Sequence, residues 1–99
     1  MVKKTQRDSS PRRPKDERVQ RLSLVERKFL KDFGQVLRTE REAQELTLYG
    51  IEERGYPSWQ HWQKLEDGLR DLKLTTLLRI GKTLKKHPGE LLGRVGLKV

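Results

Sequence analysis

The stretch from Leu46 to Gly68, LTLYGIEERGYPSWQHWQKLEDG, limits what this chain can fold into more than any other. Two short segments of helical character flank a break that neither can cross. Gly55 accepts the left-handed backbone that ends helices. Pro57 has no N–H to donate, and it biases Tyr56 toward extended geometry. Thr47 precedes one segment and Ser58 the other, each with a hydroxyl able to accept an orphan N–H of a first turn. Helices joined by so short a break cross steeply, which is the helix-turn-helix arrangement. In that arrangement the second helix of the pair is the one that fits a DNA major groove.

The flanking sequence supplies partners for this pair. Ser23-Leu24-Val25-Glu26 has the S-x-x-E spacing of a capping box. It predicts a helix over 23–43, with Leu30, Phe33 and Leu37 in one stripe and Phe29 and Val36 beside it. Gly34 inside it costs about 1 kcal/mol of helix propensity, which a close backbone contact with a neighbouring helix would explain. The second helix is predicted over 47–54, with Leu48 and Ile51 inward. Gly50 weakens it, and Glu52-Glu53 reads as a solvated face. The third is predicted over 58–67. Trp62 and Leu65 point into the core, and Trp59, Gln60, Gln63 and Lys64 lie off that face. Gly68 suits the position after its end. Leu74, Leu77, Leu78, Gly81 and Leu84 predict a fourth helix over 74–85, with Lys82, Lys85 and Lys86 near its C-terminus, where the helix dipole favours cations. Pro88 opens a last short helix, with Leu91 and Leu92 inward. The predicted core is Phe33, Leu37, Ile51, Trp62, Leu65, Leu78 and Leu84. No segment alternates with the period of a strand, so the fold class is all-α, a bundle of five helices.

Length and charge set the outer limits. Ninety-nine residues allow one domain. Residues 1–22 carry Lys3, Lys4, Arg7, Arg12, Arg13, Lys15, Arg18 and Arg21 against Asp8, Asp16 and Glu17. With Pro11, Pro14 and Ser9-Ser10, they predict a basic, largely disordered arm, partly helical beyond Lys15. Residues 23–93 form the predicted domain and 94–99 a flexible tail. The net charge of +9 selects for anionic partners, nucleic acid first, because neutralising phosphates releases condensed counterions. There is no cysteine, which removes disulfides and thiolate chemistry. No run reaches the roughly 20 apolar residues of a membrane span. The N-terminus lacks a secretory apolar region, so the expected address is the cytoplasm, with no membrane partner.

At this level the residues resemble a known family, the Cro/C1-type (XRE-like) helix-turn-helix domains of bacterial and phage repressors. FGQVLRTER is similar to that family's first helix. Leu46-Thr47 resembles its L-S/T-Q start of the second. S-x-x-x-W-x-x-L-E-x-G, from Ser58 to Gly68, resembles S-x-x-x-I-x-x-I/L-E-x-G, and TLLRIGKTLKKHPGELL resembles its closing segment. The register runs without a gap over 33–92. Glu52 stands where the family has a small Ala, Gly50 where it has a helix former, Tyr56-Pro57 where it has Gly-Val/Ile, and Leu72 near a usual Pro. The resemblance implies a lambda-repressor-like bundle and a transcriptional regulator, repressor-like, that binds double-stranded DNA as a homodimer near the nucleoid. It implies that Trp59, Gln60, Gln63 and Lys64 read base edges and that Thr47 and Arg70 meet phosphates. It also implies that Arg41 and Glu66 bridge the first and third helices.

Enzymatic chemistry is not expected. No nucleophile–base–orienter set and no phosphate-cradling glycine loop occur. His61 and His87 are isolated, so no metal and no cofactor are expected. Two other readings stay open. One is a protein-interaction adaptor on the same fold, using Trp59 and Tyr56 as exposed aromatic anchors. The other is a sequence-blind nucleic-acid binder.

Overall fold

The computed structural model describes residues 19–96. Most of the predicted basic arm, residues 1–18, lies outside the described residues, as do residues 97–99 of the predicted tail. Five helices follow one another: α1 (Leu24–Ala43), α2 (Leu48–Glu53), α3 (Trp59–Glu66), α4 (Leu74–Leu84) and α5 (Pro88–Gly93). Among the described residues there is no strand. Ahead of α1, Val19 and Gln20 are helical, and Val19 is buried.

Local chemistry sets the helix starts. Ser23 and Glu26 form the reciprocal capping box of α1: Glu26 N donates to Ser23 Oγ at 3.1 Å and Ser23 N to Glu26 Oε1 at 2.8 Å. Thr47 Oγ1 accepts from Gly50 N at 2.9 Å, and Ser58 Oγ accepts from His61 N at 3.2 Å. At the stops, Gly55 and Gly68 take φ of +106° and +74°, a region where an L side chain is strained.

The core joins all five helices: Phe33 and Leu37 of α1, Ile51 of α2, Trp62 and Leu65 of α3, Ile80 and Leu84 of α4, and Leu91 of α5. Leu78 is a correction. It stands 53% exposed, and Leu74 85%. The buried side of α4 is instead Ile80, Gly81, Thr83 and Leu84. Gly81 sets that rotation, because a Cβ there would come within 2.7 Å of Lys86 O and 2.9 Å of Pro88 Cγ. The α4–α5 corner therefore folds onto the glycine, and the leucines one side away turn to solvent.

Residues 94 and 95, assigned to the tail, are also packed. Val95 is buried in the core cluster. Arg94 donates to Glu40 at 2.7 Å and to Glu90 at 2.8 Å. Glu40 is further held by Gln44 Nε2 at 2.7 Å, and the same amide nitrogen donates to Leu84 O at 2.8 Å. The hydrogen bonds from Gln44 and then Arg94 hold the Glu40 carboxyl below its ordinary range. The end of α1, the end of α4 and the chain beyond α5 are thus tied at one point.

Candidate nucleic-acid interface

α3 is held differently at its two ends. Its C-terminal end is clamped onto α1. Gly34 lies under the carbonyls of Leu65 and Glu66, and a Cβ at Gly34 would overlap both. Gly68 abuts the backbone of Lys31, where an added Cβ would sit 2.9 Å from the Lys31 Cα. The glycine in α1 is therefore there for a helix–helix approach, at the expense of helix propensity.

Beside this contact lies a closed polar network. Arg41 Nε and Nη2 donate to the two Glu66 carboxylate oxygens at 2.6 and 3.1 Å. Arg41 Nη1 donates to Leu46 O at 2.8 Å, just ahead of α2. Trp62 Nε1 donates to Glu66 Oε2 at 2.7 Å. The structure brings Arg41 and Glu66 together with side chains only 12% and 5% exposed. Hydrogen bonding to Glu66 raises the Arg41 pKa above its ordinary value. A two-pronged pair of this kind is directional as well as attractive, so it fixes how far α3 can roll about its own axis.

The N-terminal end of α3 is held from the surface. Ser58 caps it, and Glu52 Oε2 accepts from Trp59 N at 2.8 Å. Glu52 was read as part of a solvated face. It is exposed, but its carboxylate bridges α2 to the first turn of α3, where negative charge is favoured. In the turn, Tyr56 is 3% exposed. Its hydroxyl lies 2.8 Å from His61 Nδ1, and its ring meets Trp62 edge-on at 5.0 Å. Burial pushes its phenol up to about 12. Tyr56 is therefore not an exposed anchor: it plugs the core from the turn. The exposed aromatic that sequence reading missed is Tyr49, 64% exposed and edge-on to Trp59 at 5.1 Å. Its place at N2 of α2, facing out, had no periodic signal in so short a helix.

The remaining candidate residues divide by location. Gln60 and Gln63 are exposed on the outer side of α3, with Trp59 and Lys64 half-buried next to them. Ser58 Oγ donates to Gln60 Oε1 at 3.1 Å, which leaves the Gln60 amide protons for a partner. Thr47 is exposed at the start of α2. Its oxygen is taken by Gly50 N, and its hydroxyl proton remains to be donated. Arg70 is half-buried in the loop after α3, with Nη1 on Leu69 O at 3.1 Å. The outer side of α3 thus gathers Trp59, Gln60, Gln63 and Lys64 on one surface with Tyr49.

The electrostatics are uneven. Within 47–68 the cations are Arg54 and Lys64, and the acids Glu52, Glu53, Glu66 and Asp67. Glu66 is neutralised by Arg41, and Arg54 is turned inward to Thr83 O at 2.9 Å. Positive charge is concentrated elsewhere, between Asp71 and Glu90, where Lys73, Arg79, Lys82, Lys85 and Lys86 meet no intervening acid. No group of three or more potential metal ligands occurs among the described residues, and no described helix is long and apolar enough to cross a membrane. Compared with family models, with curated proteins and with solved structures, the chain finds no match in any of the three.

Proposed function

We propose that this chain binds double-stranded DNA in a sequence-specific manner, as a repressor-like transcriptional regulator of the helix-turn-helix type, with α3 in the major groove. The observation that carries the reading is the division of α3 into two sides. Trp62, Leu65 and Glu66 are buried and locked to α1. Gln60, Gln63 and Lys64 face outward from the same two turns. A rigid helix that shows amides and an ammonium group is what direct readout needs. Gln pairs with two atoms of adenine and Lys reaches guanine, each worth about 1–3 kcal/mol of discrimination. Thr47, at the start of α2, donates to a phosphate, and Arg70 contacts a second. Lys73 and Arg79, close behind the α2–α3 turn, supply charge to the backbone. A dimer on half-sites about one helical turn apart completes the arrangement.

A second reading has its own observation. Tyr49 and Trp59 form an exposed aromatic pair with Glu52 beneath it. Such a pair suits a protein-interaction adaptor, and a carboxylate on this face opposes phosphate. Selection from random duplex DNA at low salt separates the two. The DNA reading expects an enriched sequence. Enrichment of none, with Trp59→Ala abolishing capture of a protein partner, would establish the adaptor instead. Steep salt dependence with no preferred sequence would identify a sequence-blind binder.

A further inference from the structure

α4 has a side that neither the core nor the α3 surface uses. Opposite its buried Ile80, Gly81, Thr83 and Leu84, Leu74 is 85% and Leu78 53% exposed. Four residues apart, they are neighbours on adjacent turns. Thr75, Arg79 and Lys82 are exposed on the same side, with Lys73 and Lys85 exposed at either end. Among the described residues, Lys73, Arg79, Lys82 and Lys85 enter no ion pair. A groove of about 470 Å³ separates this side from the α2–α3 turn, lined in part by Pro57, Thr75, Thr76 and Arg79.

Single exposed leucines are ordinary. Two in register, framed by cations with no acid among them, make an amphipathic stripe with one sign of charge. The candidate partners differ in what they satisfy. DNA phosphates would neutralise the cations and leave both leucines in water. A lipid surface needs a broader apolar face than two side chains on one turn and a half. An acidic amphipathic helix satisfies both features, since its apolar stripe covers the leucines and its carboxylates meet the cations. We infer that the outer face of α4 docks an acidic amphipathic helix of a partner protein. Leu74 and Leu78 take that helix's apolar stripe, and Arg79, Lys82 and Lys85 pair with its carboxylates. This surface is separate from α3 and stands whether or not α3 reads DNA.

The test uses the full chain and a fluorescein-labelled synthetic helix with Leu at i, i+3, i+4 and i+7 and Glu elsewhere. Its control is a scrambled peptide of equal composition with the stripe broken. Anisotropy is expected to show binding about tenfold tighter for the striped peptide, and Leu78→Ser or Lys82→Glu is expected to weaken it about tenfold. Both positions are exposed, so helix content and thermal melting should be unchanged in both variants. Equal binding of the two peptides, or a Leu78→Ser variant that binds as tightly as the parent, overturns the inference. So does a Leu78-dependent dimer in sedimentation, or Leu78-dependent flotation with phosphatidylserine vesicles in place of peptide binding. Duplex DNA is expected not to compete with the peptide. Should the chain bind no duplex at all, the α3 reading fails alone and the peptide result still decides this one.

Discussion

The two ends of α3 differ in how they are held, and the difference divides stability from recognition. The C-terminal end is fixed from inside, by backbone contact at Gly34 and by Arg41, Trp62 and Leu46 converging on and around Glu66. The N-terminal end is fixed from outside, by the Ser58 hydroxyl and the Glu52 carboxylate. Buried polar groups are costly to orphan, whereas surface caps are modest and adjustable. Changes at the inner end should therefore unfold the domain. Changes at the outer end should leave it folded and alter what it binds.

The largest expected effect is at Glu66. Glu66→Ala strands a nearly buried guanidinium and the Trp62 indole N–H, which should cost about 3–5 kcal/mol in urea unfolding. Glu66→Gln keeps an acceptor for Trp62 and should cost less. A Glu66→Ala variant as stable as the parent would remove the distinction between the two ends. Gly34→Ala comes next, at about 1–3 kcal/mol or more, because the methyl must push α3 off α1. Its melting temperature should fall, although alanine is the better helix former.

The turn between α2 and α3 should respond to pH. Burial raises the Tyr56 pKa from 10.0 to about 12, so the folded state retains the phenolic proton longer than the unfolded chain. Stability from this group is present below pH 10 and is lost as pH rises toward 12, by about 1.4 kcal/mol per pH unit at most. In Tyr56→Phe that part of the decline should vanish, and absorbance at tyrosinate wavelengths should lose its latest transition. The smallest effects belong to the outer end. Ser58→Ala should cost about 1 kcal/mol. Glu52→Ala should cost less than about 1 kcal/mol, as an exposed carboxylate at a helix N-terminus, and it should strengthen binding to duplex DNA by removing a negative charge from the reading surface.

The features legible in the sequence are those whose cause lies within a few residues. Ser23, Thr47 and Ser58 cap helices through bonds to residues three positions on, so spacing alone revealed them. Gly34 announced a close approach because nothing local justified it. The features that sequence hid are tertiary. α4 offers Leu74, Leu77, Leu78, Ile80 and Leu84 over a wide arc, and a contact at Gly81 chose the buried side against Leu78. Tyr56 precedes a proline and reads as turn, yet Trp62 and His61 enclose it. Glu52 reaches seven residues forward and Arg94 reaches Glu40 across 54 positions, and no periodicity carries such pairings. Of the candidate interface, the sidedness of α3 was legible. The Tyr49–Trp59 pair and the carboxylate beneath it were not.

The central claim is that the outward side of α3 meets the bases. The most direct measurement is backbone amide chemical-shift mapping by NMR, with the duplex most enriched in selection titrated into the full chain. Shifts are expected at the start of α3, around Trp59, Gln60, Gln63 and Lys64, and at the amides that open α2 after Thr47. The same titration of Gln60→Ala/Lys64→Ala, folded as the parent, should no longer distinguish that duplex from a scrambled one. Shifts confined to α4, or a double variant that still prefers the same duplex, would contradict the claim.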